Sequence, residues 1–513
     1  MKKKTAWIII GVIIAIIVIG NVGWFVQNQH RQQSTSSNRS GMMSGSHMGS
    51  SGRSMMGGNS SGRARRNSDE AVPLKTANTA PKKLAVPPIL KPTKTKGDAV
   101  YYTLKAKQAS TTFKPGVKTQ TMGYNGSYLG PTIRVKRGQT VHTKVVNQLN
   151  QRTSLHWHGA LIPGKADGGP LEPIAAGKTK QTTFKVDQQA ATLWYHPHAM
   201  GTTASQVYHG LAGFMLVDDQ NSQKLKLPKK YGVDDFPVVV QDRTFSRSGQ
   251  FSYQADYNAD GTEGNTLLVN GTLNPYINVK TNQVRLRLLN GSNARTYHFT
   301  LNHGATMRQI ATDGGFLNHP VKMSRIDLAP GQRAEVVVNT AGVSAKTLAL
   351  RTNGQRVLQL RLNQKRTGRT TLPKTLNHLT PTGRLNQFGL KHQTIRFSGM
   401  GRMVRINDRV YNPNRIDLTA KPHSNQIWTL TNNDSMMGGM DHPFHIHGAQ
   451  FRILSINGKR PSATQSGLMD VVNLKPDQKV RVLISFHDRG IFVYHCHNLE
   501  HEENGMMGQV KVE

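Results

Sequence analysis

Pro131-Thr132-Ile133-Arg134-Val135, with Gln139-Thr140-Val141-His142-Thr143-Lys144-Val145-Val146-Asn147 just after it, returns twice further along the chain. The second copy is Pro275-Tyr276-Ile277-Asn278-Val279 with Gln283-Val284-Arg285-Leu286-Arg287-Leu288-Leu289-Asn290. The third and weakest is Arg415-Ile416-Asp417-Leu418 with Gln426-Ile427-Trp428-Thr429-Leu430-Thr431-Asn432. Ile133 and Ile277 lie 144 positions apart, and Ile277 and Ile416 lie 139 apart. A second echo supports the count of three: Ala176-Gly177-Lys178, then Ala329-Pro330-Gly331-Gln332-Arg333, then Lys475-Pro476-Asp477-Gln478-Lys479. Short alternating runs punctuated by Gly, Pro and Asn are the pattern of β-sandwich strands, so the chain reads as three sandwich units of ordinary domain size.

The ends of the units differ. The first closes on Leu193-Trp194-Tyr195-His196-Pro197-His198 and the third on Phe492-Val493-Tyr494-His495-Cys496-His497. The second, near Leu348-Ala349-Leu350-Arg351-Thr352-Asn353, has no histidine there and reads as a spacer. Four His-x-His pairs exist in all: His156/His158, His196/His198, His445/His447 and His495/His497. Alternate residues of a strand share a face, so each pair projects both rings together. Two pairs in the first unit and two in the third predict a cluster at their boundary.

Cys496 is the only cysteine in 513 residues, so it has no intrachain disulfide partner. It points away from His495 and His497 on a strand, and two metal centres could sit back to back across it. A thiolate with histidines and a weak Met contact is the ligand set of a blue-copper site; His501 and Met506 follow Cys496 closely enough for a loop to bring them to it, and His442, three residues before His445, is left over from the pairs to join them. Zinc competes as the metal, but its structural sites favour several cysteines, and one thiol among ten histidines favours copper.

The chain outside the repeats is informative about compartment. Lys2, Lys3 and Lys4 precede an apolar run over residues 6–26, 21 residues broken only by Asn21. Roughly 20 such residues span a bilayer, and the positive-inside rule places the rest of the chain outside the cytoplasm. No Ala-x-Ala-like site follows Val26, which favours a retained single-pass anchor in the cell membrane over a cleaved signal peptide and a secreted protein. The net charge of +38 raises the question of nucleic acid, but an extracytoplasmic location and the lack of any nucleic-acid motif argue against that partner.

Residues 27–67 are rich in Ser, Gly, Arg and Met and cannot bury enough apolar surface to offset their ordering entropy. They read as a disordered tether. Met42, Met43, His47, Met48, Met55 and Met56 make it either a plain spacer or a Cu(I)-collecting arm. The divisions expected are an anchor over 1–26, a linker over 27–82, and sandwich units over 83–222, 223–366 and 367–513.

His156-Trp157-His158-Gly159, His196-Pro197-His198, His442-Pro443-Phe444-His445-Ile446-His447-Gly448 and the His495-Cys496-His497 stretch resemble the four signatures of the multicopper oxidases, in particular three-domain bacterial laccases and cuprous oxidases. The resemblance covers the chain after the linker. It implies an all-β fold of three cupredoxin-like Greek-key sandwiches and four copper ions, one type 1, one type 2 and two type 3. Carried over, type 1 copper takes His442, Cys496 and His501 with Met506 axial, type 2 takes His156 and His445, and the type 3 pair takes His158, His196, His198, His447, His495 and His497. Asp167 and Glu502 match acidic positions used for proton delivery.

The resemblance further implies one-electron oxidation of a small reductant coupled to reduction of O2 to water. Met436, Met437 and Met440 precede His442 as a possible substrate site, and Met440 lies where cuprous oxidases have a substrate-copper Met, but Gly438 stands in place of their usual Asp and their long Met-rich insertion is missing. That favours laccase-type oxidation of phenols or aromatic amines over Cu(I). Some relatives lose the copper ligands and act as envelope scaffolds, which is the remaining alternative.

Overall fold

The computed structural model describes residues 72–433 and 439–513. The apolar run over 6–26, the Met-bearing linker, Met436 and Met437 lie outside the described residues. Among the described residues the architecture is all-β, six sheets with short helices between them. No helix there is long and apolar enough to cross a membrane.

The three copies of the repeat take equivalent places. Thr140–Gln148 lies between a parallel strand, Ala99–Thr111, and an antiparallel one, Thr179–Lys185. Gln283–Asn290 lies likewise between Asp235–Arg243 and Arg333–Asn339, and Asn425–Asn432 between Lys391–Ser398 and Lys479–Phe486. In the facing sheets, Ile133–Lys136, Pro275–Asn278 and Leu418–Ala420 each pair in parallel with the last strand of their unit. Each pair of sheets closes on its own core, built around Val141 and Tyr195 in the first unit, Leu286 and Phe299 in the second, and Trp428 and Phe444 in the third.

Alternation breaks down in the middle unit for a reason. In Thr140–Gln148 one face is buried and the other open, whereas every residue of Gln283–Asn290 is buried. Arg285 and Arg287, the polar phase of that strand, lie under the first unit. Arg287 pairs with Asp235 at 2.7 Å and Glu335 at 2.9 Å and donates to Thr192 Oγ1 of the first unit at 2.9 Å. A buried guanidinium survives only with its donors met, and the inter-unit boundary supplies the partners.

The end of the expected linker needs correction. Residues 72–82 are not spacer: Leu74 and Leu84 enter the second core, Lys75 bridges to Thr266, and Lys82–Lys83 pairs in parallel with Pro275–Asn278. The segment covers what would otherwise be an open sheet edge, and the chain joins the first unit from Ile89, which bridges in parallel to Thr132. Composition hid this, because two leucines among lysines and prolines suffice when a preformed groove receives them. Leu84→Ala should lower the unfolding midpoint, at a cost of about 2–4 kcal/mol. An unchanged melting curve would show that the segment does not clasp the second unit.

Candidate metal centre

Strand register assembles the histidines in two halves. In the first unit His156–His158 runs antiparallel to Ala191–His196 with His156 opposite His196. In the third, His442–Ile446 runs antiparallel to Gly490–Cys496 with His445 opposite His495 and Phe444 opposite Cys496. All eight paired histidines are buried. Rings from the two units stack across the boundary, His156 on His447 with centroids 3.6 Å apart and His158 on His445 at 3.7 Å.

Their nitrogens are sorted by hydrogen bonding. Nδ1 of His156 donates to the Asp167 carbonyl at 3.1 Å, that of His196 to the Pro197 carbonyl at 2.9 Å, that of His445 to the Asp470 carbonyl at 2.8 Å and that of His495 to the Cys496 carbonyl at 3.0 Å. His447 Nδ1 donates to Asp167 Oδ2 at 2.7 Å. Each such bond fixes the proton on Nδ1 and frees Nε2 as a ligand. His198 Nε2 and His447 Nε2 then approach His495 Nε2 at 3.1 and 3.2 Å, and Nε2 of His156 and His445 has no hydrogen-bond partner. Lone pairs converging in a buried space call for a cation between them.

On the other side of the same strand, Cys496 Sγ is 3.6 Å from Nδ1 of His442 and 3.6 Å from Nδ1 of His501. Bonds of about 2.0–2.3 Å to one ion place two ligand atoms at roughly this separation, so the trio fits a single metal. His501 reaches back because Asn498 caps the short helix Leu499–Glu503, accepting from Glu500 N. Gly505, at φ 87°, then turns the chain. Buried Met506 accepts from Cys496 N at 3.1 Å and donates to the His501 carbonyl at 3.0 Å. Burial pushes the Cys496 thiol up, so a thiolate there needs a cation beside it.

The two acids flank the histidine cluster. Asp167 borders a cavity of about 360 Å³ that reaches the exposed Ile491 and is also lined by Lys165 and Arg489. Glu502 lies 3.3 Å from His198 Nδ1 and 3.5 Å from His495 Nδ1, and burial, then repulsion from Glu503, raises its carboxyl well above the ordinary range. Met440 is half-buried on the loop before His442, its carbonyl accepting from Asn432 Nδ2 at 2.6 Å. Sequence reading missed Asp470, whose Oδ1 accepts from His158 Nε2 at 3.0 Å. Asp470 forms a possible metal-binding group with His158 and His445, but Arg333 engages both its oxygens at 2.6 Å, which makes it a support for ligands. An acid inside Leu468-Met469-Asp470-Val471-Val472 was the available signal.

Family profiles described as multicopper oxidase match residues 105–222, 194–373 and 374–513. A relative named Multicopper oxidase mco, from Staphylococcus aureus, is 42% identical over 84% of this chain and 92% of its own length. The crystal structure of a laccase from Pediococcus acidilactici superposes with a TM-score of 0.83 at 40% identity, covering 86% of this chain and 95% of that one. Cell division protein FtsP of Escherichia coli is 34% identical over 86% of this chain and 95% of its own length.

Burial, then repulsion among the rings, pulls most of these histidines well below the usual imidazole range; His442 falls to about 4 and His495 to about 3, mainly by burial. The unfolded chain takes up protons near pH 6.5 that the folded cluster refuses. The metal-free protein should therefore lose stability as pH falls below about 6.5, by more than about 1 kcal/mol per pH unit. Denaturant midpoints at pH 7, 6 and 5 check this; a flat profile would contradict it.

Proposed function

The chain belongs to the multicopper oxidase family, and we propose that it is an extracytoplasmic, membrane-anchored oxidase of the laccase type, taking electrons from phenols or aromatic amines and passing them to O2. The observation that carries this reading is the division of labour across one strand: Cys496 faces His442 and His501, while His495 and His497 face the cluster shared with the first unit. We assign type 1 copper to His442, Cys496, His501 and Met506, type 2 to His156 and His445, and the type 3 pair to His158, His196, His198, His447, His495 and His497. The unpartnered ring nitrogens and the 3.6 Å spacings about the thiol fit those ions. Copper, when bound, supplies one-electron oxidation and the reduction of O2 to water.

The chain's own part is to join, shield and protonate. The backbone between Cys496 and its neighbours is a covalent path between the two centres. Neighbouring strands and Trp194, stacked on His196 with centroids 4.1 Å apart, keep solvent from the cluster. Asp167 sits where the cavity meets His156 and His447, placed to pass protons inward, and Glu502 holds a proton beside His198 and His495. Reductants would dock near His442, where the lack of an Asp at Gly438 favours organic donors over Cu(I). Cuprous oxidation is the second reading, supported by Met440. The scaffold reading gains from the likeness to FtsP but leaves twelve intact ligand positions without a purpose.

Cys496→Ser should abolish blue colour and turnover while the fold persists by circular dichroism; full turnover would end this assignment. Side-by-side O2 uptake with a phenol, an aromatic amine and Cu(I) should show the organic donors oxidised faster. Exclusive use of Cu(I) would replace the laccase reading, and a copper-to-protein ratio near zero would replace both with the scaffold.

A further inference from the structure

The second unit lacks a histidine pair, yet its turn 329–332 and the first residue of the next strand reach the cluster. A Cβ on Gly331, at φ 80°, would stand 3.0 Å from the His497 ring and 3.1 Å from that of His158. Arg333 is wholly buried and touches all three units. It donates to both oxygens of Asp470 in the third unit at 2.6 Å, from Nε to the Thr192 carbonyl of the first at 3.0 Å, and from Nη2 to the Asp313 carbonyl of its own unit at 3.2 Å. Asp313 Oδ1 in turn accepts from Arg333 N at 2.7 Å. The matching position of the third repeat, Lys479, is exposed, so burial here is a departure from the pattern of the fold.

His158 explains the departure. Five rings of the cluster tie down Nδ1 and present Nε2, but His158 is reversed: Nε2 donates to Asp470 Oδ1 at 3.0 Å and Nδ1 faces His196 Nε2 at 3.4 Å. Among its described contacts the Asp470 carboxylate is the acceptor that holds the proton on Nε2 and leaves the Nδ1 lone pair free. The same residue's carbonyl orders His445 at 2.8 Å. Left alone, that carboxylate could rotate away from the ring; the Arg333 fork, on both its oxygens at 2.6 Å, fixes its plane.

We infer that Asp470 and Arg333 are positioning residues for the oxygen-reducing centre, holding His158 in its reversed tautomer, so that the second unit is a working part of that centre. The inference rests on the copper assignment proposed above. A buried ion pair gains little over apolar packing as a source of stability, which leaves ligand geometry as its return.

The test compares Asp470→Asn and Arg333→Lys with the wild-type holoenzyme. Both variants should keep the blue colour of the Cys496 centre and the KM for a phenol. Both should lose magnetic coupling of the type 3 pair by electron paramagnetic resonance, with kcat 10–100-fold lower, the usual range for outer supports of a metal ligand. Coupling and kcat unchanged would overturn the inference, as would loss of blue colour together with coupling, which marks a general structural role. A wild-type enzyme with neither blue colour nor a coupled pair would instead overturn the copper assignment itself.

Discussion

Imidazoles brought together in a dry interior can remain there only uncharged. Protonating one costs its own desolvation and repulsion by its neighbours, and the geometry reflects it, ring nitrogens facing each other at 3.1–3.4 Å. Much else about the two histidine-bearing units supports that arrangement. Carbonyls of Asp167, Pro197, Asp470 and Cys496 hold protons on the outward nitrogens, and the stacked pairs across the boundary make each unit's half of the site incomplete without the other.

Much of this was legible in the chain itself because the signals are local. A two-residue period places both histidines of a pair on one face, and the lone thiol between His495 and His497 must face the other way. Register then does what spacing promised: His445 opposite His495 and His156 opposite His196. The repeats likewise announced strands that recur in equivalent sheet positions. Such features need no knowledge of distant contacts.

Illegible features were those whose partners lie far along the chain. Arg333 and Asp470 are separated by 137 positions, and nothing near either names the other. Arg285 and Arg287 look like the solvent phase of an alternating strand until the first unit is laid over them. Residues 72–82 look like spacer, because Leu74, like Leu84 just beyond them, packs only against a core made much later in the sequence. In each case a polar or sparse stretch gained meaning from a boundary between units.

That last segment also orders events during synthesis. Val72 bonds to Glu263, 191 positions onward, so the leading residues emerge long before anything exists to receive them. The first sandwich can close while its own preceding chain is still undocked, the second can be sealed at its edge only after its Pro275–Asn278 strand has appeared, and the shared histidine cluster must wait for the final strands of the third. An ion that needs histidines from both units can therefore be held only after the third sandwich has closed.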